Sequence, residues 1–135
     1  MTNTRIYFFS FLFLLLVLNG CGDPKTAGKV TFTDGSPLTV GTVCFETKEY
    51  TYYGDLKSDG TYSMGKVKDG EGIPPGEYKV YIRGAQEIVG HDEKTGDTTY
   101  KDLIDKKFTS GETSELTCTV DGKTRLDFQV TAPGQ

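Results

Sequence analysis

The chain has no tryptophan, one histidine and three cysteines in 135 residues, and each scarcity removes a class of protein. Without a tryptophan flanked by a cysteine pair, the signature of a true immunoglobulin domain is missing. The one histidine, His91, sits in a polar loop, and no glycine-flanked serine elbow accompanies it, so no nucleophile, base and orienting group can be assembled from recognisable parts. No cluster of Lys and Arg occurs in a chain of net charge -4, which argues against nucleic acid as a partner. No apolar run is long enough to cross a bilayer. Residues 6 to 18 are broken only by Ser10, and as a helix they reach roughly 20 Å against a hydrocarbon layer of roughly 30 Å. These absences predict a protein that is not an enzyme and uses no cofactor.

The short apolar run fits the h-region of a signal peptide. It ends in Leu18-Asn19-Gly20-Cys21, which resembles the bacterial lipobox. That resemblance implies a diacylglycerol on the Cys21 thiol and cleavage just before it. Two or three acyl chains anchor firmly where one binds only marginally. The expected organisation is a lipoprotein signal peptide at 1–20, a short tether at 21–27 and one domain at 28–135. The protein would be exported and held by Cys21 to the bacterial cell membrane, on its periplasmic or cell-surface face. Arg5 is the only charge ahead of Cys21, so the mature chain is more acidic than the precursor.

What the rest of the chain does have is alternation. Pro74, Pro75 and Gly76 stop any regular element and close a tight turn; Tyr78, Val80 and Ile82 then alternate with Lys79, Tyr81 and Arg83, the period of a strand with one buried face. Val30 and Phe32 before Asp34-Gly35, and Val43 and Phe45 after it, predict a first hairpin, with Gly41 as a bulge that brings the out-of-phase Val40 into line. Residues 50 to 57, the turn Ser58-Asp59-Gly60, and Tyr62 and Met64 predict a second. Leu116, Cys118 and Val120, the turn Asp121-Gly122, and Leu126, Phe128 and Val130 predict a third. Residues 66 to 76 read as a glycine-rich loop.

Seven strands with turns roughly every ten residues and no sustained helical period predict an all-β fold, a seven-stranded antiparallel β-sandwich. Its expected core is Val30, Phe32, Val43, Phe45, Tyr78, Val80, Ile82, Leu116, Leu126 and Phe128. The order of residues 28 to 38, 41 to 45, Asp59-Gly60-Thr61-Tyr62, 74 to 80 and 103 to 108 resembles the carboxypeptidase regulatory-like, transthyretin-type domains of exported bacterial lipoproteins. The resemblance spans nearly all of the mature chain. It implies a prealbumin/transthyretin-like sandwich of Ig-like architecture and a non-catalytic module for cell-envelope structure or protein interaction. The transthyretin-like hydrolases use several histidines and a Tyr-Arg-Gly-Ser tail, whereas this chain ends Thr-Ala-Pro-Gly-Gln, so their activity does not carry over.

Four features remain as candidate sites. His91 with Asp92, Glu93 and Asp97 has metal-ligating residue types but lacks the Asp-x-Asp spacing of a calcium loop, and reads as a solvated turn. Cys44 and Cys118, an even pair in an exported chain, are either a disulfide or two separate small thiols, since Cys44 lies out of phase with Val43 and Phe45. Tyr50, Tyr52, Tyr53 and Tyr62 make either a stacking surface for sugars and peptides or cross-strand packing. Residues 84 to 112 are the longest stretch without strand character. Leu103, Ile104 and Phe108 are expected to pin its second half, leaving residues 86 to 99 as an exposed flap that is either the site for a cell-envelope protein or glycan partner or a disordered insertion that binds nothing. The alternative function is a surface lipoprotein that binds a small ligand, carbohydrate or calcium.

Overall fold

A computed structural model describes residues 25–68, 70–122 and 124–135; the expected signal peptide at 1–20 and Cys21 lie outside the described residues. Among the described residues the chain forms ten strand segments and one turn of 3-10 helix at Lys106–Phe108. The strands are β1 (Thr26–Phe32), β2 (Thr42–Glu46), β3 (Thr51–Asp55), β4 (Thr61–Ser63), β5 (Gly76–Arg83), β6 (Gln86–His91), β7 (Thr98–Asp102), β8 (Thr117–Val120), β9 (Thr124–Arg125) and β10 (Phe128–Val130). The expected count of seven is therefore too low. The two-residue β9 and the pair β6 and β7 lie in stretches with too few β-branched residues in phase to read as strands.

Two sheets face each other. One runs β3-β2-β5-β8 and is antiparallel throughout. The other is centred on β1, with β4 antiparallel on one side and β9 and β10 on the other. Both β9 and β10 run parallel to β1, so the sandwich is not wholly antiparallel. The domain also begins two residues earlier than expected: Thr26 and Ala27 belong to β1 and not to a tether.

β5 follows its sequence closely. Tyr78, Val80 and Ile82 are buried, whereas Glu77, Lys79 and Arg83 are exposed. With Val43 and Phe45 they meet Val30, Tyr62, Phe128 and Val130 from the facing sheet. Phe45 lies at the middle, its ring centroid 5.8 Å from Tyr78, 5.9 Å from Phe128 and 6.2 Å from Tyr62. Of the expected core, Phe32, Leu116 and Leu126 only flank this cluster, while Leu38, Met64, Ile73 and Ile104 are fully enclosed. Loops supply those last residues, and of the four only Met64, two residues after Tyr62, is reached by strand alternation.

The third predicted hairpin is a corner between sheets, and the first two pair only locally, Thr31 with Pro37 and Tyr53 with Gly65, before their strands part into different sheets. β1 and β2, β3 and β4, and β8 and β10 are each divided between the two sheets. The turns themselves form as their residues dictate. Asp34 Oδ1 accepts from the Ser36 amide and hydroxyl, and Asp59 Oδ1 from the Thr61 amide and hydroxyl, which holds both carboxyls below their ordinary pKa. Gly60 takes φ of 80°, a value that a side chain disfavours. An Asp-Gly turn reverses the chain, but the pairing of the next strand is settled by which apolar face must be covered. Gly41 is likewise no bulge; it precedes β2, and its carbonyl accepts from the Leu56 amide.

The sandwich has two distinct ends. At the entry end lie Thr26, the loop after Met64, Gly76 and Val120: Met64 N donates to the Thr26 carbonyl and Gly72 N to the Met64 carbonyl, and four residues on Gly76 pairs with Val120. The eight residues of β5, at about 3.3 Å each, carry the chain roughly 26 Å to the far end. There Arg83 pairs with Thr42, and Gly84 leads into β6.

Candidate functional site

β6 and β7 form a two-stranded sheet of their own at the far end, paired with neither large sheet. The stretch expected to be an exposed flap is exposed, but as an ordered antiparallel hairpin. Its root is built from apolar burial. Ala85 and Ile104 are in the core, Phe108 is buried beside them, Leu103 packs against the cluster, and Leu103 N donates to the Ala85 carbonyl at 2.9 Å. The pinning expected of Leu103, Ile104 and Phe108 is what the structure has. Asp105 fixes the next turn by accepting from Lys107 N, while its own amide donates to the Thr131 carbonyl.

Beyond the root the arm leaves the sandwich, and polar contacts hold its edges. Gln86 Nε2 donates to Asp102 Oδ1 at 2.6 Å, and the exposed pair Lys101 and Glu87 lies at 3.3 Å. At the tip, Asp92 Oδ1 accepts from Lys94 N at 2.8 Å and the Asp92 carbonyl accepts from Gly96 N, so this carboxylate closes its own turn. His91 Nδ1 lies 3.2 Å from Thr98 Oγ1. Among the described residues no group of three or more His, Cys, Asp or Glu converges as a metal site would require.

The unusual part of the arm is apolar. Ile88 pairs directly with Tyr100, and the register shifts at Val89, which bulges out of the ladder. Ile88, Tyr100 and Val89 are 66%, 57% and 54% exposed. A two-stranded hairpin with no core of its own is marginal in water, and placing three large apolar side chains on it leaves a surface that association would cover. Charged groups surround it: Glu87, Asp92, Glu93, Asp97 and Asp102 against Lys94 and Lys101.

The other candidates separate clearly. Tyr52 and Tyr62 are core residues, and Tyr52 stands edge-on to Tyr78 at 5.9 Å. Tyr50 and Tyr53 are exposed, so the four tyrosines do not make one stacking surface. A groove of about 1050 Å³ runs past Glu46, Lys48, Glu77, Lys79, Thr117 and Thr119 beside the β8 edge. Strand alternation does not reveal it, because it forms between the end of one hairpin and the edge of another strand.

Cys44 and Cys118 are both free thiols. Across β5, Cys44 is opposite Tyr81 and Cys118 opposite Tyr78, an odd number of residues apart. They therefore lie on opposite faces and on strands either side of β5. Two strand spacings are about 9.5 Å, beyond the roughly 7 Å that a disulfide spans. Burial pushes the Cys44 thiol up to about 11 and that of Cys118 up to about 12, from 9.0. Folding thus favours both neutral thiols. Their contribution to stability is fully present below pH 9 and is lost as pH rises through the folded values. The urea midpoint should hold level to about pH 8.5 and then fall. Cys44→Ala should flatten part of that slope, and added reductant at pH 7 should leave the midpoint unchanged.

No protein-family model matches the chain, and no curated protein matches it. Among solved structures it is similar to a DUF3823 family protein from Bacteroides ovatus ATCC 8483, with 19% identity and a TM-score of 0.45. The similarity covers 82% of this chain and 45% of that one, so the chain spans less than half the length of that protein. By its own geometry this is an all-β, sandwich-like domain carrying a projecting hairpin.

Proposed function

We propose that this chain is an exported, lipid-anchored cell-envelope protein whose non-catalytic sandwich presents the β6 and β7 arm to a protein partner. The observation that carries the reading is the exposed Ile88, Val89 and Tyr100 set on a hairpin without a core. Anchoring rests on the apolar run ending in Leu18-Asn19-Gly20-Cys21. The finer assignment, a carboxypeptidase regulatory-like domain of prealbumin type, rests on the order of its motifs and agrees with two facing sheets. An acidic arm around an apolar centre suits a partner surface that is apolar with a basic rim.

Two measurements test the proposal. Intact mass of membrane-extracted protein should correspond to an acylated chain beginning at Cys21, and Cys21→Ser should abolish that species. A photo-crosslinking residue in place of Tyr100 should capture one defined envelope protein in cells, while the same residue in place of Tyr53, exposed on the β3 strand, should not. Equal capture from both positions, or none from either, would sink the arm as the binding site.

The second reading is a small-ligand binder, favoured by the 1050 Å³ groove with Glu46, Glu77 and Lys79 on its walls. Calorimetry against glycans and divalent cations decides it. Heat of binding lost in Glu77→Gln would support this reading.

A further inference from the structure

We infer that the entry end of the sandwich, around Val67 and Tyr50, is a membrane-docking face that dips into the lipid headgroup layer. The inference rests on the anchor proposed at Cys21. β1 begins at Thr26, so the five residues from Cys21 to Lys25 span at most about 18 Å. An acylated Cys21 at the bilayer surface therefore forces the entry end, and not the arm, against the membrane.

The residues at that end are suited to it. The loop after Met64 leaves and returns beside Thr26: Met64 N donates to the Thr26 carbonyl, and Gly72 N donates to the Met64 carbonyl. The Glu71 carboxylate accepts from Val67 N and Lys68 N, bracing the turn on which Val67 is exposed. Val67 is 89% exposed, the most exposed of the large apolar residues among those described, and it stands between Lys66 and Lys68. Lys66 Nζ lies 4.8 Å from the ring centre of Tyr50, which is 55% exposed. Lysines flanking an apolar tip, with a tyrosine at the same level, match what a headgroup layer accepts: apolar groups below, an amphipathic ring at the boundary and cations beside phosphate.

Lys25 leads into β1, and Lys48 lines the groove that also holds Glu46, Glu77 and Glu112. Attraction to anionic headgroups is therefore modest and screened by salt. The insertion of Val67 decides the docking. The arm, at the opposite end of β5, then points away from the bilayer.

The absence of tryptophan makes this directly testable. Full-length protein carrying Val67→Trp is expressed in a bacterial host so that the leader is processed. It is then reconstituted into vesicles of phosphatidylethanolamine and phosphatidylglycerol with brominated acyl chains. The parallel variant is Val89→Trp on the arm. Both positions are exposed, so both variants should keep the parental circular dichroism spectrum. The expected result is a blue-shifted Val67→Trp emission quenched several-fold more than that of Val89→Trp, with the difference reduced by Lys66→Glu and Lys68→Glu together. Flotation of the protein with the vesicles reports the anchor separately. Protein that floats with equal quenching at both positions overturns the docking face and leaves the anchor standing. Stronger quenching at residue 89 reverses the orientation and overturns it too. Protein that does not float overturns the anchor and this inference with it.

Discussion

Phe45→Ala should be among the most damaging single truncations in the domain, lowering stability by about 4 kcal/mol. Phe45 is fully buried and contacts aromatic rings from both sheets: Tyr78 on its own sheet, and Tyr62 and Phe128 on the facing one. Removing the ring forfeits the transfer free energy of the side chain and leaves a void that three stiff rings cannot easily fill. It also removes the edge-on contact with Phe128 at 84° and with Tyr62 at 63°, worth about 0.5 to 1.5 kcal/mol per pair beyond burial. Domains of this size are stable by about 5 to 15 kcal/mol in all, so the variant retains a small margin. Its thermal midpoint should fall by roughly 15 °C. Tyr100→Ala, on the exposed arm, should move the midpoint by no more than a few degrees. Comparable losses at the two sites would mean that the arm carries stability and is no free surface.

The core strands were legible because their signal is local. Val43, Phe45, Tyr78, Val80 and Ile82 alternate with polar neighbours, and that pattern is enough to place them inside. Asp34-Gly35, Asp59-Gly60 and Asp121-Gly122 were legible as turns for the same reason. Sheet membership was not, because it depends on contacts far apart in sequence. β1 is central only because residues 61 to 63 and 124 to 130 come to its two edges, and nothing in residues 26 to 32 announces either neighbour. The hidden core positions Leu38 and Ile73 sit in loops where no period exists to mark them. The exposed flap was placed correctly, but its strand character was missed. Gly90 and the two threonines at 98 and 99 dilute the alternation, and Val89 is out of phase because it bulges.

A second large effect is expected at a buried position that has no side chain to pack. Gly28→Ala should destabilise the domain by about 3 kcal/mol, the upper range for forcing extra volume into a tight site. In β1 the pairing offset to the C-terminal strands is the same at Ala27 with Arg125 and at Val30 with Phe128, so Gly28 stands opposite Leu126 in the gap between β9 and β10. There the Leu126 carbonyl turns in over Gly28 to accept from the Tyr62 hydroxyl, while Asp127 Oδ1 replaces a ladder acceptor for Lys29 N at 2.8 Å. A β-carbon on residue 28 would collide with the Leu126 carbonyl oxygen and lie 2.6 Å from its carbon and 2.8 Å from the Tyr62 hydroxyl. Backbone would have to give way, and the buried Tyr62 hydroxyl would lose its acceptor, a further cost of about 1 kcal/mol or more. Gly90→Ala is the matched control: the nearest atom lies 3.7 Å from the added carbon, an ordinary contact, and its urea midpoint should stay close to that of the parent. Tyr62→Phe alone should cost about 1 kcal/mol. In that background Gly28→Ala should cost measurably less than in the parent, because one of the colliding atoms and the bond it made are already gone. Strict additivity of the two changes would show that the collision lies with the Leu126 backbone alone and that the tyrosine hydroxyl has no part in excluding a side chain at residue 28.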